Sequence, residues 1–250
     1  MREYTRPHIQ PVVFYDSDGR VIDYGNRWAS VGGSPPSESY SVIEHPERFA
    51  PLHTVAAALI DHLVSAYEVD VEEGPHVAAT LLRAPTADEI VRAVRLTPRD
   101  KFCSPLIFVL TSHPAVRLAA GVFFEATLPW CGCNACDEQC ESTAGELEWL
   151  TFAVVGGELT EEVSRSRRAK WSYQRGHGFV RGMGQTVSHR IRSRGGEREA
   201  GGSVSAKDLP DALVKSARVA LDALAVASDE GNWLPWPARK TSDRVRQEPK

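Results

Sequence analysis

Four cysteines within ten residues are the sharpest chemical feature of the chain: Cys131, Cys133, Cys136 and Cys140, in the run Pro129-Trp130-Cys131-Gly132-Cys133-Asn134-Ala135-Cys136-Asp137-Glu138-Gln139-Cys140. Zinc takes four donors in a tetrahedron, with sulfur at about 2.3 Å. A turn at Gly132 lets two or three thiolates converge on one point. A helix entered near residue 137 would place Cys136 and Cys140 one turn apart on one face. Its N-terminal amides would favour thiolate over thiol. The cluster therefore predicts a zinc site at Cys131, Cys133, Cys136 and Cys140. Cys103, Asp137 or a histidine are alternatives for the fourth position. All-thiolate sites tend to be closed and structural, and no H-E-x-x-H or deaminase-type pattern accompanies this one. The bland alternative is that these are buried, inert thiols.

Redox chemistry is the rival reading. Trp130-Cys131-Gly132 resembles the opening of the thioredoxin W-C-G-P-C motif, but Cys133 comes one residue early and the proline is missing. The C-x-x-C pair is Cys133 and Cys136, and these two would carry a thiol-based redox function. No secretory signal is visible, so a cytoplasmic location is expected, where thiols stay reduced. No apolar run approaches the ~20 residues of a membrane helix, so no membrane partner is expected.

Two further groups of residues invite chemistry. His45, Arg48 and His53 precede or open a helix and could line an anion pocket at its positive end. Capping and loop packing explain them as well, because no nucleophile–base pair can be placed beside them. From Ser164 to Arg198 there are ten basic residues and one acidic one, a charge of +9 in a chain of net charge -4. Arg165, Arg167, Arg168, Lys170 and Arg175 lead this segment, interleaved with Trp171 and Tyr173. Arginine with aromatic stacking suits single-stranded nucleic acid. Neutralisation of an acidic body is the blander and preferred reading.

The elements that must position these groups follow from periodicity. Pro51 to Tyr67 reads as a helix, with Leu52, Val55, Ala56, Leu59, Ile60 and Leu63 in one apolar stripe. Val12–Tyr15 and Arg20–Tyr24 read as a hairpin around Asp18-Gly19. Residues 75–83 and 86–92 read as short helices, with Thr86 and Glu89 at capping-box spacing. Ala93–Thr97, Leu106–Thr111 and Val116–Ala126 read as strands. The helix after the cysteines is expected from about residue 137 to Val155, stopped by Gly156-Gly157. Glu158–Val163, Lys170–Arg175 and Val187–Ile191 read as strands. The glycines of 176–184 and 195–202 suggest mobile loops. A last helix spans about Leu209 to Ala227, with Asp208 as N-cap. Trp233 to Pro237 is expected to pack as an extended segment. The sum is one α+β domain over residues 1–239, a mainly antiparallel sheet with helices packed on it and a cysteine knuckle at the start of a helix. Residues 164–206 are a candidate insertion, and 240–250 a disordered tail.

Several phrases together resemble a family. They are Asp23-Tyr24-Gly25-Asn26-Arg27-Trp28, Tyr40-Ser41-Val42, His45 to His53, Cys131 to Glu138, and Glu146-Leu147-Glu148-Trp149. The chain is similar over about residues 4–175 to uncharacterised actinobacterial proteins that share a domain of unknown function. The resemblance implies an intracellular protein and ties the pattern to the first three cysteines, leaving Cys140 optional. It implies no activity. The resulting expectation is a zinc-stabilised binding or scaffold domain rather than an enzyme.

Overall fold

The computed structural model describes residues 3–165, 170–174, 178–182, 185–228 and 230–239. Its centre is an antiparallel meander of five strands: β3 (Val69–Glu73), β4 (Ile90–Pro98), β5 (Leu106–Thr111), β6 (Ala115–Ala120) and β7 (Phe124–Leu128), in that order across the sheet. Period-two alternation gives the sheet two faces. Val94, Phe108, Leu118 and Ala126 stand in register across four strands and enter the main core. Ala93, Val109 and Ala119 point the other way, into a small cluster with Val77 and Ala78 of the short helix α2 (Pro75–Ala78).

Helix α1 (Pro51–Ala66) buries its predicted stripe: Leu52, Val55, Ala56, Leu59, Ile60 and Leu63 are all inaccessible or nearly so. It packs on β3 and β6 and on α3 (Cys140–Val155), and α3 in turn meets the second sheet. That sheet orders β12 (Glu199–Ser205), β11 (Gln185–Arg192) and β8 (Leu159–Arg165), all antiparallel. Helix α4 (Asp211–Ala227) packs on β8. Two hairpins stand apart from the sheets: β1 (Phe14–Tyr15) with β2 (Val21–Ile22), and β9 (Lys170–Gln174) with β10 (Gly178–Gly182). The protein is thus α+β, with a cysteine cluster just before α3. The stretch Pro46–Ala66 is long and apolar enough by composition to cross a membrane, yet its apolar stripe is spent on this core.

After α4 the chain runs as an extended strap. The amides of Trp233, Leu234, Trp236 and Arg239 donate to the carbonyls of Leu159, Phe102, Val155 and Ala66. Both indoles are buried, and the Trp236 N–H donates to the Ser104 carbonyl at 2.8 Å. The segment therefore ties the ends of α1 and α3 to β8 and to the β4–β5 connection.

Several elements differ from expectation. Val116–Ala126 is two strands, because Gly121 takes a φ of 59° and the Glu161 carboxylate gathers the amides of Val122, Phe123 and Phe124 into a turn. The capping box at Thr86 and Glu89 is present, but it opens a single turn and β4 begins at Ile90. Helix α3 begins at Cys140, three residues later than expected, because Asp137 adopts a left-handed φ of 50°. Pro210, not Asp208, is the N-cap of α4. The glycine-rich stretches contribute β10 and β12, since backbone pairing needs no side chains. Strand β3 carries one half-buried residue and four exposed ones, so no alternation announced it. Strand β11, inside the candidate insertion, sends Val187 and Ile191 into the main core. Arg167, Arg168, Arg175 and the tail 240–250 lie outside the described residues.

Candidate metal centre

The three leading cysteines converge. The sulfurs of Cys131, Cys133 and Cys136 all lie within 4.8 Å of one another, with Cys133 buried and Cys131 and Cys136 exposed. Cys140 is not among them. It faces the main core from the first turn of α3, and burial pushes its thiol up to about 11. Cys103 is also buried elsewhere, its thiol donating to the Pro235 carbonyl, and burial again raises it to about 11.

The knuckle is held by a frame of charged and amide groups. Gly132 needs its left-handed φ of 73° to turn the chain between the first two cysteines. The Glu138 carboxylate accepts from the amides of Trp130, Cys131 and Gly132 at 2.9, 2.9 and 2.7 Å, closing the loop on itself. Arg48, only 6% exposed, donates to the Gly132 carbonyl at 2.8 Å and to those of Glu138, Glu44 and His45. Its guanidinium lies 4.3 Å from the ring centres of both Tyr24 and Phe49. Burial lowers its pKa, with no carboxylate in ion-pair range among the described residues. Asn134 bridges to the loop 39–44: its amide donates to the Val42 carbonyl, and its side chain exchanges hydrogen bonds with Glu44. The Asp137 carboxylate accepts from the amides of Gly25 and Arg27 at 2.8 and 2.9 Å. The cysteines thus sit where three distant segments, 24–28, 39–48 and 129–139, are locked together.

This setting alters the thiols. Burial pushes Cys133 up, but hydrogen bonds from the Cys131 thiol, the Cys136 amide and thiol and the Ser41 amide outweigh it and bring Cys133 down to about 7. Cys136 moves the other way, to about 12, because its proton is held by the sulfurs of Cys131 and Cys133, with partial desolvation adding to the rise. Three sulfurs within 4.8 Å of one another are a donor set for a soft or borderline cation.

The other predicted residues do not form one site. The His45 ring faces the Glu47 carboxylate and the Tyr15 carbonyl, while His53 lies 3.2 Å from the Ala115 carbonyl on the sheet side of α1. Arg48 borders a cavity of about 430 Å³ under the β1–β2 hairpin, together with Tyr24, Gln139 and Cys140, but its donors are committed to carbonyls. In the basic segment, Arg165 and Lys170 fall at the end of β8 and the start of β9. Further on, Arg190 and Arg192 pair with Glu199, Arg194 with Glu158 and Arg198 with Glu146. Four of the segment's ten basic residues are thus paired within the chain, by three carboxylates. Glu138, Asn134, Asp137 and Glu44 were not anticipated as the frame; Asp137 and Glu138 show in the sequence as the acidic pair that follows Cys136, while Asn134 and Glu44 carry no such signal.

Fold and site together define an α+β protein built around a solvent-facing cluster of three cysteines. Residues 10–240 match the family of unknown function DUF6226, and the chain belongs to that family. No curated protein and no solved structure matches it.

Proposed function

We propose that this is a zinc-binding protein of the cytoplasm, with Cys131, Cys133 and Cys136 as ligands and a binding or scaffolding role rather than a catalytic one. The convergence of the three sulfurs carries the reading. Thiolates at about 2.3 Å from a tetrahedral zinc stand somewhat under 4 Å apart, within the spread that this loop already allows. The frame of Glu138, Arg48, Asn134 and Asp137 orients the sulfur-bearing backbone independently of any ion. Metal would therefore add stability to a preformed loop instead of creating it. This departs from the small zinc modules that unfold without metal.

Calorimetric titration of thiol-reduced protein with zinc tests the reading. One equivalent should bind, with release of protons to buffer, and the triple variant Cys131→Ser, Cys133→Ser, Cys136→Ser should bind none. Equal uptake by the triple variant would end the proposal.

The closeness of the Cys133 and Cys136 sulfurs, together with the lowered pKa of Cys133, supports a second reading, a thiol redox function through these two residues. It predicts a reversible disulfide between those two residues, found by mass spectrometry after mild oxidation and reversed by dithiol. Oxidation without that cross-link would dismiss it.

A further inference from the structure

We propose, building on the metal-site reading above, that the fourth coordination position is open to solvent and takes a thiolate supplied from outside the chain. Among the described residues, no histidine, cysteine, aspartate or glutamate joins the three sulfurs. The two carboxylates nearest in sequence are occupied elsewhere: Asp137 holds the amides of Gly25 and Arg27, and Glu138 holds three amides of the knuckle itself. Cys140 and Cys103 are turned into the protein. The exposed members of the cluster, Cys131 and Cys136, set the vacant direction towards water.

The surroundings choose the ligand. A metal with three thiolates is an electron-rich, soft centre that discriminates against hard carboxylate oxygen. The rim beside it is apolar and exposed: Trp130 is 55% and Tyr40 57% accessible, and Val42 and Ile43 are also exposed. The loop bearing the last three is pinned to the knuckle by the Asn134 and Ala135 amides, which donate to Val42 and Ser39. Sulfur makes favourable contacts with aromatic rings, and apolar flanks on the incoming thiol would be covered by this rim. On binding, the thiol releases its proton to solvent and its sulfur displaces a metal-bound water. No electron changes hands. The donor is a thiol, carried either by a small molecule or by a cysteine of a peptide or protein.

Cobalt(II) replaces zinc in such sites and reports the number of thiolates through its sulfur-to-metal charge-transfer absorption. Cobalt-loaded protein should show a three-thiolate spectrum. Titration with 2-mercaptoethanol should raise the charge-transfer intensity by about one third, as three sulfurs become four. The tripeptide Leu-Cys-Leu should saturate at several-fold lower concentration if a peptide cysteine is the natural donor, and Trp130→Ala should remove that advantage. Equal saturation by the two thiols supports a small-molecule source. A three-thiolate spectrum that does not change with either thiol overturns the proposal, as does a four-thiolate spectrum before any addition. Absence of any charge-transfer band would instead overturn the metal reading beneath it.

Discussion

Glu138 is the residue on which the knuckle's geometry depends most directly, and its replacement gives a graded test. The carboxylate collects the amides of Trp130, Cys131 and Gly132. A hydrogen bond to a charged acceptor contributes about 1.5–3 kcal/mol. Trp130 and Cys131 are exposed, so water can replace their lost acceptor, whereas Gly132 is buried. Glu138→Ala should therefore cost about one such bond, roughly 1.5–3 kcal/mol, rather than three. Glu138→Gln keeps one acceptor oxygen and should cost less. Because these amides orient Cys131 and fix the turn to Cys133, zinc affinity should also fall about 10–100-fold in Glu138→Ala, the range seen when groups that orient metal ligands are removed. Urea unfolding of the metal-free protein gives the first quantity, and competition against a chromophoric chelator gives the second. An alanine variant with native stability and affinity within about threefold of native would refute the claim that this frame presents the thiols.

Further outcomes follow from the same structure. Cys140→Ser should leave metal stoichiometry unchanged while costing about 1–3 kcal/mol for a buried hydroxyl, read from the urea midpoint; a lost equivalent of metal would restore Cys140 as a ligand. Trp236→Ala should cost about 3–5 kcal/mol, because it empties a buried site that ties the strap to Ser104, and a shift under about 1 kcal/mol would show the strap to be dispensable. His53, His62 and His189 are each held below the ordinary value of 6.5 by burial, His53 in spite of its contact with the Ala115 carbonyl. Depressed folded values mean that the unfolded chain binds protons first. The stability from these rings is complete above 6.5 and is lost as pH falls through their folded values. The urea midpoint should decline as pH falls below about 6.5, less so in His189→Gln, and identical declines in the two proteins would exclude His189 as a contributor.

What could be read in advance was whatever a local pattern determines. The stripe of α1 sits in one helix and faces one core, so its spacing was sufficient. The same holds for Leu106–Thr111, whose bounds as β5 match the expected strand. Errors came where a distant group sets the local conformation. Val116–Ala126 is mostly apolar, with Arg117 and Glu125 as its charged residues, and its division needs Glu161, about forty residues on, to gather three amides. The start of α3 needs Asp137 to hold the backbone at Gly25 and Arg27, more than a hundred residues earlier. That tether keeps Cys136 out of the helix and separates it from Cys140. The cysteine types and spacing were legible, and the resemblance favoured the first three; spacing alone did not separate them from Cys140, because Arg48, Glu44 and Asn134 shape the loop through contacts across the fold. Arg48 was noticed for its charge, yet it acts by binding carbonyls.

The most direct test of the central claim is elemental mass spectrometry on protein purified without added metal or chelator, with a thiol titration run in parallel. The account predicts about one zinc per chain, with Cys131, Cys133 and Cys136 shielded from thiol reagents until chelator is added. Protein without metal, whose three thiols react freely and which takes up no zinc when it is supplied, would contradict it.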